Sequence, residues 1–326
     1  MKKFLIATLG AALFLGGCAT GSGGENGEKV RLYTSKLSAM AGKKEVYIGH
    51  LGVTFITEDK STSKSSSPMV RHDGPSAQAT LTAKLSGVPE ATMQAIADET
   101  YANLVADLEA KGYTVKNYSD LRAQKPWQKM KTFETPYTPS KVAGFLKKVN
   151  TNTVAFAPSN MDLLFDQSKG MDAINNNAKL GEITYALNTP IISADYTVHF
   201  AYFDNDSDYT INYGISQTAS ASVDLGQGIQ AVSGSGISIL TEGKNPVITL
   251  KDPIIVSGVY GRNEDTTSGA SKFANSFNSV VSMFGGTKMS SKEISIVAEP
   301  EYFKQGVLKA LSAANERIVN KLATAQ

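Results

Sequence analysis

The chain has 326 residues, 41% of them hydrophobic, and carries 32 Lys and Arg residues against 30 Asp and Glu residues. Lys2 and Lys3 account for the formal charge of +2, so the remainder is neutral. A neutral chain argues against nucleic acid or another polyanion as the main partner. Because Cys18 is the one cysteine, the chain has no internal disulfide and no cysteine-based metal site.

The first twenty residues, MKKFLIATLGAALFLGGCAT, have the pattern of a targeting segment. Two lysines precede an apolar run of about a dozen residues, which is too short to span a hydrocarbon core of about 30 Å. Small residues follow, as a signal peptidase requires. The run closes on Leu15-Gly16-Gly17-Cys18, which resembles the lipobox of bacterial lipoproteins. An ordinary secretory signal with an incidental cysteine is the alternative interpretation.

The lipobox resemblance implies a cellular location. In bacterial lipoproteins the cysteine becomes the first residue of the mature chain and carries a diacylglycerol and an acylated amine, so the resemblance makes Cys18 a stable membrane anchor. Ala19 follows it, instead of the aspartate that retains such proteins in the inner membrane. The resemblance therefore implies the periplasmic face of the outer membrane, with residues 1–17 as signal peptide.

Two segments are predicted after the signal peptide. Residues 18–44 are expected to form the lipidated cysteine and a flexible tether, because positions 19–29 read ATGSGGENGEK. Residues 45–326 are expected to fold as a single periplasmic domain. Inside it, a mobile polar loop is predicted at about 58–76, where Ser, Thr and Lys predominate.

The first part of the domain mixes predicted strands and helices. EVYIGHLGVTFIT and AQATLTAKLSGV are predicted as the strands of a long hairpin around that loop. Pro89 is expected to begin a helix that Gly112 ends. YTVKNY and NTVAFAP are predicted strands, PYTPSKVAGFLKKVN is a predicted short helix, and Met171 to Leu187 is predicted to be helical.

The second part is richer in strands. IISADYTVHFAYFDNDSDYTINYGIS is predicted as two strands around a turn at positions 204–208, and more strands follow. Apolar residues at helical spacing predict a helix at 269–286, GASKFANSFNSVVSMFGG. Pro300 is expected to begin a C-terminal amphipathic helix. Clustered strands with a few helices predict an α+β fold with a mixed or largely antiparallel sheet.

Asp204, Asp206 and Asp208 are weak candidates for a metal site, because alternating carboxylates suit Ca²⁺ ligation. Their spacing lacks the glycine and glutamate of an EF-hand loop, so a solvated hairpin turn is the favoured interpretation. The three histidines lack the spacing of a zinc hydrolase, and the sequence has no G-x-S-x-G motif. We therefore expect no cofactor and no catalytic residue.

Phe273, Phe277, Val281 and Phe284 form the candidate interface, since they lie on one face of the helix predicted at 269–286. That helix either packs on the sheet as core or docks on a partner or a membrane surface.

The order of elements carries a second resemblance. An acylated cysteine, a Gly/Ser tether and an α+β domain with an early long helix and a C-terminal helix resemble the curli-secretion lipoproteins and the lipoprotein activators of penicillin-binding proteins. The similarity covers about residues 45–322 and includes no shared motif, so no functional residue is carried over. It implies an assembly or scaffolding role, with ring formation as one form.

We expect a non-catalytic lipoprotein that is an assembly or structural component of an envelope or secretion complex, with a protein partner or as a homo-oligomer. A module that binds a small ligand, lipid or glycan is the alternative, and an envelope hydrolase is the third interpretation. Four aromatic residues either line the pocket of such a module or belong to the core: Tyr196, Phe200, Tyr202 and Tyr209.

Overall fold

The computed structural model describes residues 30–66, 76–139, 151–165, 170–212, 216–266, 272–273, 279–284 and 288–325. Within those ranges the chain forms a sheet of fourteen strands and four α-helices. The strands are β1 Leu32–Ser35, β2 Glu45–Ser66, β3 Ser76–Ser86, β4 Thr114–Val115, β5 Asn152–Phe156, β6 Ile191–Asn212, β7 Ser216–Ala231, β8 Gly236–Leu240, β9 Val247–Leu250, β10 Ile254–Ser257, β11 Gly261–Asp265, β12 Lys272–Phe273, β13 Ser279–Phe284 and β14 Lys288–Ala298. The helices are α1 Glu90–Ala110, α2 Tyr118–Arg122, α3 Gly170–Leu187 and α4 Pro300–Ala323, with 3₁₀ turns at Leu37–Met40 and Trp127–Lys129.

The sheet runs in the order β1-β9-β8-β6-β2-β3-β14-β11-β12, and β7 joins it by pairing with β6, β10 and β13. Among the described strands, β2 is parallel to β6 and to β4, and β3 is parallel to β14. The other pairs are antiparallel, β2 with β3 and β6 with β7 being the longest. A mixed, largely antiparallel sheet with a C-terminal helix confirms the predicted α+β class.

Alternate residues of the two central strands face different helices. In β2, Ile48 belongs to the core that contains α1 and α4, whereas Tyr47 packs with residues of α2 and α3. In β6, Ile192 belongs to the core that contains α1 and α4, whereas Ile191 packs with residues of α2 and α3. Because successive side chains of a strand point to opposite faces, α1 and α4 cover one face of the sheet and α2 and α3 cover the other.

The ends of the two long helices follow from local signals. Pro89 occupies the N-cap position of α1, and Gly112 follows the helix with φ +82°, a left-handed conformation that glycine adopts without strain. Pro300 is the first residue of α4, and the side chain of Glu299 accepts a hydrogen bond of 3.0 Å from the backbone N–H of Tyr302. Both predicted helices are confirmed, as is the predicted helix over α3.

Folded structure begins earlier than predicted. Residues 32–35, assigned to the tether, form β1 and pair with β9 at the edge of the sheet. Arg31 donates to both carboxylate oxygens of Asp252, through Nε at 2.9 Å and Nη2 at 2.7 Å. These bonds lower the pKa of Asp252 to about 2. A four-residue strand leaves little sequence pattern, so the tether prediction is wrong from Leu32 onward.

The loop predicted at about 58–76 is wrong over residues 58–66, which continue β2 and pair with β3. The predicted hairpin is only partly confirmed: β3 pairs with residues 58–66 of β2, so its predicted pairing with residues 45–57 is wrong. Residues 67–75 lie outside the described part. Ser63 and Ser65 are buried, while the residues next to them in the strand are exposed. Because polar serine occupies the inward positions, the sequence of this strand shows no alternation of hydrophobic and polar residues.

The turn predicted at positions 204–208 is also wrong, because this stretch lies inside β6. It pairs in register with residues 220–224 of β7. Pairing with β7, the next strand of the chain, here overrides the local preference of Asp, Asn and Ser for turns. Asp206 is exposed, and the side chains of Asp204 and Asp208 lie outside the described part.

The helix predicted at 269–286 is wrong. Phe273 lies in β12, which pairs with β11, whereas Val281 and Phe284 lie in β13, which pairs with β7. Phe277 lies outside the described residues. β13 reads SVVSMF, and its adjacent valines favour a strand. The candidate interface is therefore spread over two strands and does not form one helical stripe.

Some predictions fall on segments that the structure leaves undescribed. Residues 1–29, with Cys18, are among them, and so are residues 140–150 of the predicted short helix. The strand predicted after that helix is confirmed as β5. In the described ranges, no helix has the length and apolar character needed to cross a membrane.

Candidate functional site

His50 is fully buried in β2, at the register position opposite Ser193 of β6. Its Nδ1 accepts a hydrogen bond from the backbone N–H of Leu164 at 3.4 Å, and its Nε2 lies 3.2 Å from Oδ1 of Asp195. Since Nδ1 is an acceptor, Nε2 carries the proton, and this N–H donates a hydrogen bond to the carboxylate. Both ring nitrogens are occupied, so His50 offers no lone pair to the Ser193 hydroxyl.

His199 repeats this arrangement in β6. Its Nδ1 accepts from the backbone N–H of Ala201 at 3.0 Å, and its Nε2 lies 2.9 Å from Oδ2 of Asp59 in β2. The pair lies just beyond Phe55 and Val198, the last residues at which β2 and β6 are paired. Each described histidine therefore links two strands. Within the described ranges, no group of three or more His, Cys, Asp or Glu side chains could hold a metal ion.

The aromatic residues considered as a pocket lining belong mainly to the core. Tyr196 is 1% exposed and donates a hydrogen bond to the side-chain oxygen of Asn315 in α4. Phe200 is buried as well. The ring of Tyr202 packs so closely on Gly226 of β7 that a Cβ at Gly226 would overlap it. The side chain of Tyr209 lies outside the described part.

α3 packs one face on the molecule and exposes an apolar stripe on the opposite face. Leu180 and Ile183 are buried beneath the helix, whereas Ile174 is 63% exposed and Tyr185 is 77% exposed. Among the described residues six large hydrophobic side chains are exposed, and these are two of them. Eleven residues separate them, so they point in nearly the same direction about 16 Å apart.

Two small residues, Ala178 and Gly181, lie between Ile174 and Tyr185 on this face. Ala178 is exposed, and a Cβ built on Gly181 would meet no atom within 4 Å. We call Ile174, Ala178, Gly181 and Tyr185 the α3 stripe. Their spacings of four, three and four residues read the same in both directions along the helix.

A groove of about 670 Å³ opens on another part of the surface, between α1, α2 and the loop after β5. We call it the α1–α2 groove. Its apolar lining includes Val105 of α1, Val115 of β4 and Met161 of the loop, which are half-buried at the margin of the main core. Tyr101 and Tyr118 also line the groove, and burial raises the pKa of both phenols. The two phenols are therefore neutral hydrogen-bonding groups at neutral pH.

The carboxylate at the α1 side of the groove is held by neighbouring donors. Asp98 accepts from the backbone N–H of Ser159 at 2.6 Å, from the Ser159 hydroxyl at 2.9 Å and from Gln94 at 3.2 Å. These bonds fix the loop after β5 against α1, so this wall of the groove is preorganised.

The two cations of the groove are paired. Lys116 lies 3.2 Å from Glu45, and Nε of Arg122 lies 3.6 Å from Oδ2 of Asp162. Asp162 also accepts from the hydroxyl of Tyr118 at 3.3 Å. The groove therefore presents a polar surface in which each cation already has a carboxylate partner.

Sequence reasoning identified neither the α3 stripe nor the α1–α2 groove. The stripe had a signal, because residues 171–187 carry apolar or small residues on both faces of the predicted helix, and a helix packed on one side needs only one apolar face. The groove had none, because its lining comes from three segments separated in sequence.

Comparisons with models of known protein families and with curated proteins found no match for this chain.

Proposed function

We propose that this chain is a non-catalytic lipoprotein of the outer membrane, anchored through Cys18, and that it is an assembly component that pairs with a second copy of itself. The α3 stripe carries this proposal, since it exposes two large apolar side chains in a self-complementary order. The lipobox resemblance supports the anchor. The occupied nitrogens of His50 and His199 support a role that is not catalytic.

The order of residues in the stripe suits an antiparallel helix pair. Turning one α3 by a two-fold axis between Ala178 and Gly181 sets Ile174 against Tyr185 of the partner subunit, and the same contact forms a second time. The small residues at the centre let the two helices approach closely. Lys179 and Glu182 beside the stripe form an ion pair of 2.6 Å within one helix, so no unpaired charge there opposes association.

A single helix pair buries less surface than a standard protein interface, which is about 1,600 Å² in total. The proposed anchor compensates for this, because confinement to one membrane surface raises the effective concentration of the chains. The proposal thus predicts a dimer of the lipidated protein in detergent or membrane, and weaker association once the anchor is removed.

The mass of the detergent-extracted full-length protein, from light scattering with detergent subtraction, tests self-association. We expect about twice the chain mass, and the mass of one chain for Tyr185→Glu, since a carboxylate would be buried against Ile174 of the partner subunit. Tyr302→Glu is the matched control, because Tyr302 is a similarly exposed tyrosine, 59% accessible, on α4. A single-chain mass for the unmodified protein, or equal loss in both variants, contradicts the proposal.

Disulfide trapping tests the antiparallel register. We expect the double variant Ile174→Cys/Tyr185→Cys to form an intermolecular disulfide, while either single variant does not, because residues 174 of the two copies lie too far apart for a bond that needs Cα atoms within about 7 Å. A parallel pair would crosslink each single variant and would overturn this geometry.

Cys18→Ser tests the anchor. The variant cannot form the thioether to a diacylglycerol, so we expect it to lose its outer-membrane partitioning. Complete retention in the outer-membrane fraction would show that another segment attaches the protein to the membrane.

A further inference from the structure

The α1–α2 groove contains several polar side chains whose hydrogen-bonding capacity the described part of the chain does not use. Tyr101, Asn117, Ser119 and Asn160 all line it. Within the described ranges, the Tyr101 hydroxyl and the side chains of the other three have no hydrogen-bond partner, and Asn117 heads α2 without a side-chain cap. Four such groups converging on one cavity are typical of a binding site with a few placed polar contacts.

These four groups are uncharged, and each can form hydrogen bonds both as donor and as acceptor. An amide side chain or a hydroxyl both donates and accepts hydrogen bonds. The pKa of Tyr101 is raised by burial, so its phenol keeps its proton and remains a donor. A ligand that matches such a surface must itself be rich in groups that donate and accept, and sugar hydroxyls have this property.

The charges of the groove favour a neutral ligand over an anionic one. Lys116 and Arg122 each have a carboxylate partner, Glu45 and Asp162 respectively. Asp98 adds a negative charge that Ser159 and Gln94 stabilise through hydrogen bonds. An incoming anion would have to break these ion pairs or approach an unneutralised carboxylate.

The size and the apolar lining of the groove also suit a sugar ligand. A volume of about 670 Å³ is in the range of about 300–1,000 Å³ that is usual for small-ligand sites. The ring of Tyr101 and the side chains of Val105 and Met161 provide an apolar surface on which the C–H face of a sugar ring can pack.

We propose that the α1–α2 groove binds a neutral oligosaccharide of two or three sugar rings, through Tyr101, Asn117, Ser119 and Asn160. The groove and the α3 stripe share no residue, so sugar binding in the groove does not depend on self-association through α3.

Ligand binding can be measured through the fluorescence of Trp127. It is the only tryptophan of the chain, and its ring lies edge-on to Tyr118 of the groove wall with centroids 5.2 Å apart. Intrinsic fluorescence of the full-length protein in detergent is titrated with three neutral trisaccharides: cellotriose, maltotriose and N-acetylglucosamine trimer. We expect at least one to bind with a dissociation constant of about 1 mM or tighter. No binding by any of the three at about 10 mM would overturn the proposal.

The variants distinguish the groove from other surfaces. Asn117→Ala and Asn160→Ala remove exposed side chains and should leave the fold intact, yet each should weaken binding by about tenfold, as expected for one lost hydrogen bond. Asn175→Ala, an exposed asparagine on α3, is the matched control and should bind as the unmodified protein does.

Two outcomes of the variant series contradict the site. Unchanged affinity in both Asn117→Ala and Asn160→Ala would place the sugar elsewhere. Tighter binding of trigalacturonic acid than of the neutral trimers would show that the groove selects for negative charge and would overturn the assignment of a neutral ligand.

Discussion

The hydroxyl of Tyr196 on β6 donates a hydrogen bond to the side-chain oxygen of Asn315 on α4, and both side chains are almost completely buried. The bond joins the central sheet to the C-terminal helix. Tyr196→Phe removes the donor hydroxyl and leaves the buried side-chain oxygen of Asn315 without this hydrogen bond. We expect the free energy of unfolding to fall by about 1–3 kcal/mol in urea denaturation.

Tyr302→Phe is the control for that measurement, because Tyr302 lies on the same helix and is 59% exposed. Removing an exposed hydroxyl should change the free energy of unfolding by less than about 0.5 kcal/mol. If the two variants lose equal stability, the hydrogen bond to Asn315 contributes nothing specific.

Asp107 of α1 gives the protein a pH-dependent stability. Burial raises the pKa of its carboxyl, and Glu316 of α4 raises it further, while Lys111 opposes both. For an acid whose pKa is raised on folding, the protonated form is favoured in the folded state, so stability is lost as pH rises from the usual range through the raised pKa. Asp107→Asn cannot ionise and should therefore be more stable than the unmodified protein at neutral pH.

The stability gain of Asp107→Asn should shrink as pH falls and should vanish near pH 3, where the carboxyl is protonated in both states. Urea denaturation at a series of pH values measures it. Glu109→Gln, an exposed position on the same helix, should show no such gain. A gain independent of pH would mean that the amide stabilises for a reason other than charge.

The parts of the fold that were predictable from sequence have local causes. α1 and α4 carry their own start signals in Pro89 and Pro300 together with an apolar face at helical spacing. The first half of β2 and all of β3 alternate or are continuously apolar. In each case the pattern within about a dozen neighbouring residues determines the element.

The errors share a different cause, which is pairing between strands, because the local pattern of one segment does not show the strand that it pairs with. Ser63 and Ser65 occupy buried strand positions that composition alone marks as loop, and the residues from Asp204 to Asp208 are held extended by β7. His50 lies 145 residues from Asp195, so no spacing rule connects them. Intrinsic strand preference is weak relative to such tertiary contacts.

Leu81→Ala tests whether the second half of β2 and its partner β3 are packed as a structured hairpin. Leu81 is fully buried on β3, opposite Ser61 of β2. Its truncation should lower the free energy of unfolding by about 2–5 kcal/mol, since buried methyl groups are lost and a cavity remains.

The control for this hairpin is Lys64→Ala, which alters an exposed position of β2, the strand paired with β3. It should leave the melting temperature nearly unchanged, because surface substitutions usually stay within about 0.5 kcal/mol. A small effect of Leu81→Ala, comparable to that of Lys64→Ala, would contradict the packing of β3.

The ring of His199 provides the sharpest test of the buried histidine–aspartate pairs. Ala201 donates its N–H to Nδ1, so the proton of the neutral ring must reside on Nε2, where it meets Asp59. Nitrogen chemical shifts of the imidazole should therefore report the Nε2–H tautomer at neutral pH. Asp59→Asn retains an oxygen that can accept this proton, whereas Asp59→Ala leaves the buried N–H unpaired at a cost of about 1–3 kcal/mol. We accordingly expect the order of stability to be unmodified protein, then Asp59→Asn, then Asp59→Ala. An Nδ1–H tautomer, or equal stability of the two variants, would contradict the hydrogen bond between His199 and Asp59.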